Sequence, residues 1–208
     1  MRVATIVFTL VLVGTGAAHA QYVDLTEPSP AASRLTEVRR SLQTERREAG
    51  VALLVGGLAS VVGGALTASI GHEDPFWLSF GVGTAGWGAV NAALSISMLD
   101  VGDGGFAAIE ADRMLRGEEL AEARERAIRD QHRSATLFAL NFGLDVAYIA
   151  SAVLLFFVAD QLEGEDEPAL LRGYAAAQAG QGTFLLVFDL IEWIASNERA
   201  DRLADVSP

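Results

Sequence analysis

Asp145 and Asp189 are the residues best placed to do chemistry in this chain, because each stands inside a long stretch otherwise almost free of charge. Ser134–Ala159 is 26 residues with Asp145 as its only charge, and Gly173–Asn197 is 25 residues interrupted by Asp189 and Glu192. Two carboxyls in a water-poor site can pass a proton, act as general acid and base, or hydrogen-bond to amides and hold helices together. Amides are at hand: Asn91, Asn141, Gln178 and Gln181 lie in the same kind of apolar stretch, and Tyr148 adds a hydroxyl. Asn141 and Asp145 are four apart and share a helix face, as do Gln181, Leu185 and Asp189. Asn91, Asn141, Asp145, Tyr148, Gln178, Gln181 and Asp189 are therefore the expected polar cluster.

Other chemistries are poorly served. There is no cysteine and no lysine, so thiolate ligands, cysteine nucleophiles and an activated amine are excluded. His72 and His132 both fall outside the uncharged stretches, which leaves a buried serine without a base. His72-Glu73-Asp74 reads as a polar turn, since three adjacent residues rarely converge on one ion; no metal and no cofactor are expected. Gly81-Val82-Gly83-Thr84-Ala85-Gly86 matches a dinucleotide fingerprint, but it needs a preceding strand and sits inside an apolar run. The net charge of -12 argues against nucleic acid as a partner.

The elements that position the cluster follow from the charge spacing. Val51–Gly71 and Pro75–Leu99 carry no charge at all, and with 134–159 and 173–197 they make four segments, each able to cross a hydrocarbon layer of about 30 Å at about 1.5 Å per residue. A water-soluble bundle would need a charged outer face that the first two segments lack. In antiparallel order, Asn91, Asn141, Asp145 and Asp189 all fall roughly 10 to 16 Å from the same end of the bundle. Small residues recur every fourth position at Ala52, Gly56, Ser60 and Gly64, at Gly81, Ala85, Ala89 and Ala93, and at Ala135, Ala139, Gly143, Ala147 and Ser151. Such stripes predict close helix contact, with the first two segments meeting through them.

Outside the spans, Leu35, Val38 and Leu42 recur at helical spacing after Ser33, the expected N-cap, so residues 21–50 form an amphipathic arm. The charged connection 100–133 contains Glu122/Arg126 and Glu125/Arg129, in the favourable order on a helix leading into the third span. Residues 198–208 are a short tail. Residues 1–20, with Arg2, an apolar run and Ala18-His19-Ala20, fit a cleaved signal peptide. That sets the mature N-terminus outside a bacterial inner membrane. The arginines point the other way, because five in 21–50, six in 101–133 and two in the tail would then lie outside against Arg172 inside.

Trp87–Asn91, Leu144-Asp145-Val146-Ala147-Tyr148, and Gln181–Asp189 after Arg172-Gly173-Tyr174 carry a likeness to a known group. Over about residues 50–195 the chain resembles a family of small bacterial membrane proteins known only as a domain of unknown function. The family's pattern has a Trp-Asn pair with a second Asn three residues on; Gly88 stands here in place of the first Asn. The resemblance implies a four-span fold and no known activity. The whole reading is an all-α integral membrane four-helix bundle with short amphipathic extramembrane helices. Its expected role is non-enzymatic, with the polar cluster binding a small ligand or lipid headgroup or supporting assembly as a homo-oligomer or with a membrane partner. Two alternatives stand beside it: a membrane-embedded enzyme or proton-coupled carrier subunit using Asp145 and Asp189, and a purely structural scaffold.

Overall fold

The computed structural model describes residues 27–100 and 104–206, so the expected signal peptide lies outside the described residues. The described residues form five α-helices: α1 (Pro30–Ile70), α2 (Pro75–Leu99), α3 (Gly104–Ala111), α4 (Gly117–Ala159) and α5 (Asp166–Ala204), with a 3-10 turn at Asp112–Met114 after α3. No strand occurs among the described residues, and the fold is all-α.

Proline and a capping side chain start the first two helices. Ser29 Oγ accepts from the Ala32 N–H at 3.0 Å with Pro30 in the first turn, and Asp74 accepts from the Phe76 N–H at 2.9 Å with Pro75 behind it. The N-cap expected at Ser33 thus moves to Ser29, because a serine followed by proline combines a side-chain acceptor with a φ already fixed for the helix. The arm and the first apolar segment form one helix, as do the charged connection from Gly117 and the third apolar segment. Glu122–Arg126 and Glu125–Arg129 pair at 3.3 Å each on α4.

The four long helices form two antiparallel hairpins, α1 with α2 and α4 with α5, joined where α2 packs on α5. The first hairpin closes through glycine. A Cβ on Gly57 would lie 2.7 Å from Ala92 N and Gly88 O, and one on Gly64 would lie 2.5 Å from Ala85 N and Gly81 O. The expected contact of small faces holds, but its register drifts: Gly81 and Gly88 are buried while Ala89 and Ala93 are exposed. A helix turning every 3.6 residues carries a four-residue stripe off the contact, and a seven-residue one follows it better. Gly56 meets the Phe184 ring of α5 instead of α2. Gly143 of the third stripe faces open space, so that stripe is not a close helix contact along its length.

Burial is divided along the molecule. At one end, Leu35 and Leu42 of α1, Leu120 and Ala123 of α4, and Leu203 and Val206 pack into an apolar core. Arg39–Asp112 and Arg40–Glu110 tie α1 to α3 and the turn after it. Beyond that end the pattern inverts: Val51, Val55, Leu58, Val62, Leu66 and Ile70 form an exposed stripe on α1 while glycine lies inside. Only 22% of the apolar window of α1 and 17% of that of α4 is buried. Among the described residues, three helices are long and apolar enough to cross a membrane: α1, the segment beginning with α2 at Pro75, and α4. α5 is as long, but it is not among these three, because Gln178, Gln181, Asp189 and Glu192 interrupt its apolar run.

Candidate functional site

One stripe of α5 carries most of the buried polar groups: Gln178, Gln181, Asp189, Glu192, Ser196 and Arg199. Their spacings of three, four, seven and eight keep them on one helix face, turned toward α1, α2 and α4.

This stripe divides the expected cluster into three sets. In the first, Gln181 bridges three helices: its Oε1 accepts from Asn91 Nδ2 at 3.0 Å, and its Nε2 donates to Ser60 Oγ of α1 at 3.1 Å. In the second, Gln178 Nε2 donates to the Tyr148 carbonyl at 3.0 Å and to Ser151 Oγ at 2.5 Å, fastening α5 to α4. The third is the pair of carboxyls, Asp145 on α4 and Asp189 on α5, which are buried neighbours bordering one cavity. Asp145 Oδ2 receives no amide or hydroxyl donor, nor does Ser196 Oγ have a partner.

The carboxyl pair borders a cavity of about 380 Å³ between α2, α4 and α5. Trp87 and Tyr148, whose rings meet edge-on at 5.3 Å, close it at mid-bundle. Leu94, Leu137, Leu144 and Phe188 also line it, as do Arg46, Gln131 and Arg199. Asn141, Asp145, Tyr148 and Asp189 border this space. Asn91, Gln178 and Gln181 are spent on helix-to-helix bonds and are not among the residues that border it. Asn91 Nδ2 donates to Gln181 and not to either carboxyl.

Several participating residues escaped the sequence reading. Glu192 is buried and accepts from Arg199 Nη1 at 3.0 Å. Arg199 Nε also reaches Glu45 Oε2 at 3.4 Å, and Glu45 accepts from both terminal nitrogens of Arg202, at 2.8 and 2.5 Å. Hydrogen bonding from Arg202 is the largest influence on Glu45 and holds its carboxyl below the usual range; the same bond raises Arg202. Glu192 and Arg199 are seven apart, and with Asp189 and Ser196 they continue the Gln178–Gln181 stripe. That periodicity was the available signal.

The dinucleotide-like glycines lie in mid-α2 with no strand before them. Gly81 is pressed against Gly64 and Ala68 of α1, which leaves no phosphate-cradling turn.

A family model described as a family of unknown function, DUF6992, matches residues 52–190. The chain belongs to the DUF6992 family. The DUF6992 match spans all three polar sets, from Ser60 to Asp189, and stops short of Glu192, Ser196 and Arg199. Membership brings no activity with it. No curated protein and no solved structure matches the chain.

Proposed function

We propose that this DUF6992 chain is a four-span integral membrane protein whose cavity beside Asp145 and Asp189 takes a small polar ligand or a lipid headgroup. The observation that carries the reading is the cavity itself, about 380 Å³ with apolar walls and a few convergent polar groups. Ligand sites have this composition and size. An intramembrane acid costs about 2.5 to 3.5 kcal/mol at a helix centre on insertion scales, and a helix-to-helix bond returns well under 2 kcal/mol, so a role confined to holding helices explains the pair less well.

The fourth crossing is supported by connectivity. α4 ends at Ala159, α5 begins seven residues later, and Leu203 near its end packs with Leu120 near the start of α4. A chain that crosses on α4 must cross back on α5 to bring these leucines together. The interrupting polar groups of α5 are turned into the bundle, where they meet other protein rather than acyl chains.

A cleaved leader would set residues 27–48 outside an inner membrane. The arginines oppose this orientation, because they lie in segments short enough for the positive-inside tendency to count, and the acids interleaved with them do not cancel it. Single cysteines at Glu110→Cys and Asp166→Cys, labelled on whole cells with a membrane-impermeant maleimide, test this. Labelling at 110 alone agrees; labelling at 166 alone reverses the orientation.

The ligand reading is tested by mass spectrometry of protein extracted in mild detergent. Wild type is expected to carry a bound small molecule or lipid that a double Asp145→Leu, Asp189→Leu variant lacks. Equal lipid and small-molecule content in both would overturn it.

A further inference from the structure

The ligand's chemistry follows from an imbalance inside the cavity. Three acids, Asp145, Asp189 and Glu192, border it, against two bases, Arg46 and Arg199. The bases sit toward the charged end and have other partners. Arg199 is held by Glu192 and Glu45, and Arg46 Nη2 donates to the Ser97 carbonyl at 3.3 Å. Among the described residues neither aspartate has an ion-pair partner, and the chain has no lysine to supply one.

Two buried polar atoms on this cavity's lining residues also lack partners. Asp145 Oδ2 lacks a donor and Ser196 Oγ lacks any partner, although Asp145 is only 3% exposed and Ser196 fully buried. Buried acceptors in native proteins are nearly always satisfied. The remaining walls are aromatic. Trp87, Phe138, Tyr148 and Phe188 border the same space, and the faces of such rings attract cations.

We infer that the cavity binds an organic ammonium group, with the nitrogen donating to the Asp145–Asp189 pair and the carbon substituents against the rings of Trp87 and Tyr148. This inference rests on the ligand reading proposed above and specifies it. A free alkylamine and the ethanolamine headgroup of a phospholipid present the same primary ammonium, and they are separated by experiment.

The test uses the full chain in maltoside detergent, which contains no ammonium, with hexylammonium, hexanol and hexanoate as probes in titration calorimetry. Hexylammonium is expected to saturate a single site, and Asp145→Asn and Asp189→Asn to weaken it by about tenfold or more, as for loss of a charged hydrogen-bond partner. Tyr148→Leu, which leaves the carboxyl pair intact, is expected to weaken it less. If an aspartate variant fails to fold, Tyr148→Leu and the hexanol control still decide the outcome. Bilayer discs of phosphatidylethanolamine are then compared with phosphatidylglycerol. Blockage of the hexylammonium site only by phosphatidylethanolamine identifies the lipid as the source, and an open site in both identifies a free amine. Equal binding of hexanol, or preference for hexanoate, overturns the ammonium inference while leaving a ligand cavity. Binding of none of the three probes, with nothing lost on removing the aspartates, overturns both.

Discussion

Asp145 on α4 and Asp189 on α5 are buried neighbours, and they border a cavity that residues of α2 also line. An amide can replace either acid and still donate to the other, so the contact does not require both carboxyls to keep the helices together. Asp145→Asn and Asp189→Asn are expected to fold, with stability changed by about 1 kcal/mol, the typical net value of one hydrogen bond. Thermal melting in detergent checks this. Unfolding of both single variants would make the pair structural and remove the reason to assign it to a ligand.

The α1–α2 contact leaves no room for a side chain at Gly57 or Gly64. Gly57→Leu and Gly64→Leu are each expected to destabilise by about 1 to 3 kcal/mol, since backbone atoms cannot yield as a flexible side chain can. Gly143 faces open space, so Gly143→Ala is expected to be neutral or stabilising by up to about 1 kcal/mol through helix propensity. Comparative melting of the three variants is the measurement.

The Asn91–Gln181 bond joins the two hairpins in the apolar part of the bundle. A double-mutant cycle with Asn91→Leu and Gln181→Leu is expected to give a coupling of roughly 0.6 to 1.7 kcal/mol, the range for bonds between lipid-embedded helices. Zero coupling would mean that the amides do not work as a pair.

Glu45 lies at the charged end, where hydrogen bonding from Arg202 holds its carboxyl below the usual carboxylate range. A carboxyl held low in the folded state adds stability above its unfolded pKa and loses it as pH falls through the lower, folded value. The melting difference between wild type and Glu45→Gln is therefore expected to be constant at neutral pH and to shrink below pH 4.5. A difference that grew on acidification would contradict the assignment.

Position along the bundle was legible in the sequence; rotation about each helix axis was less so. Counting rise per residue set Asp145 and Asp189 at one level, and the two do border one cavity. The same count set Asn91 level with them, yet Asn91 turns to Gln181, because which neighbour a helix face meets depends on the packing order of all four helices. Four-residue spacing led to Ala89 and Ala93, whereas the contact runs through Gly88 and Ala92. Glu192 interrupts an apolar run, and hydropathy alone does not turn it inward. Its partner Arg199, two turns on in the apparent tail, becomes visible only when α5 is read as one uninterrupted helix.

The most direct measurement is the environment of α5, whose crossing the fourfold arrangement requires. A nitroxide at Val187→Cys, an exposed position level with the carboxyl pair, is compared in liposomes with one at Asp201→Cys in the charged end. The account predicts relaxation of the label at 187 by dissolved oxygen and protection from a water-soluble nickel chelate, with the opposite at 201. Equal relaxation by the nickel chelate at both positions would contradict it.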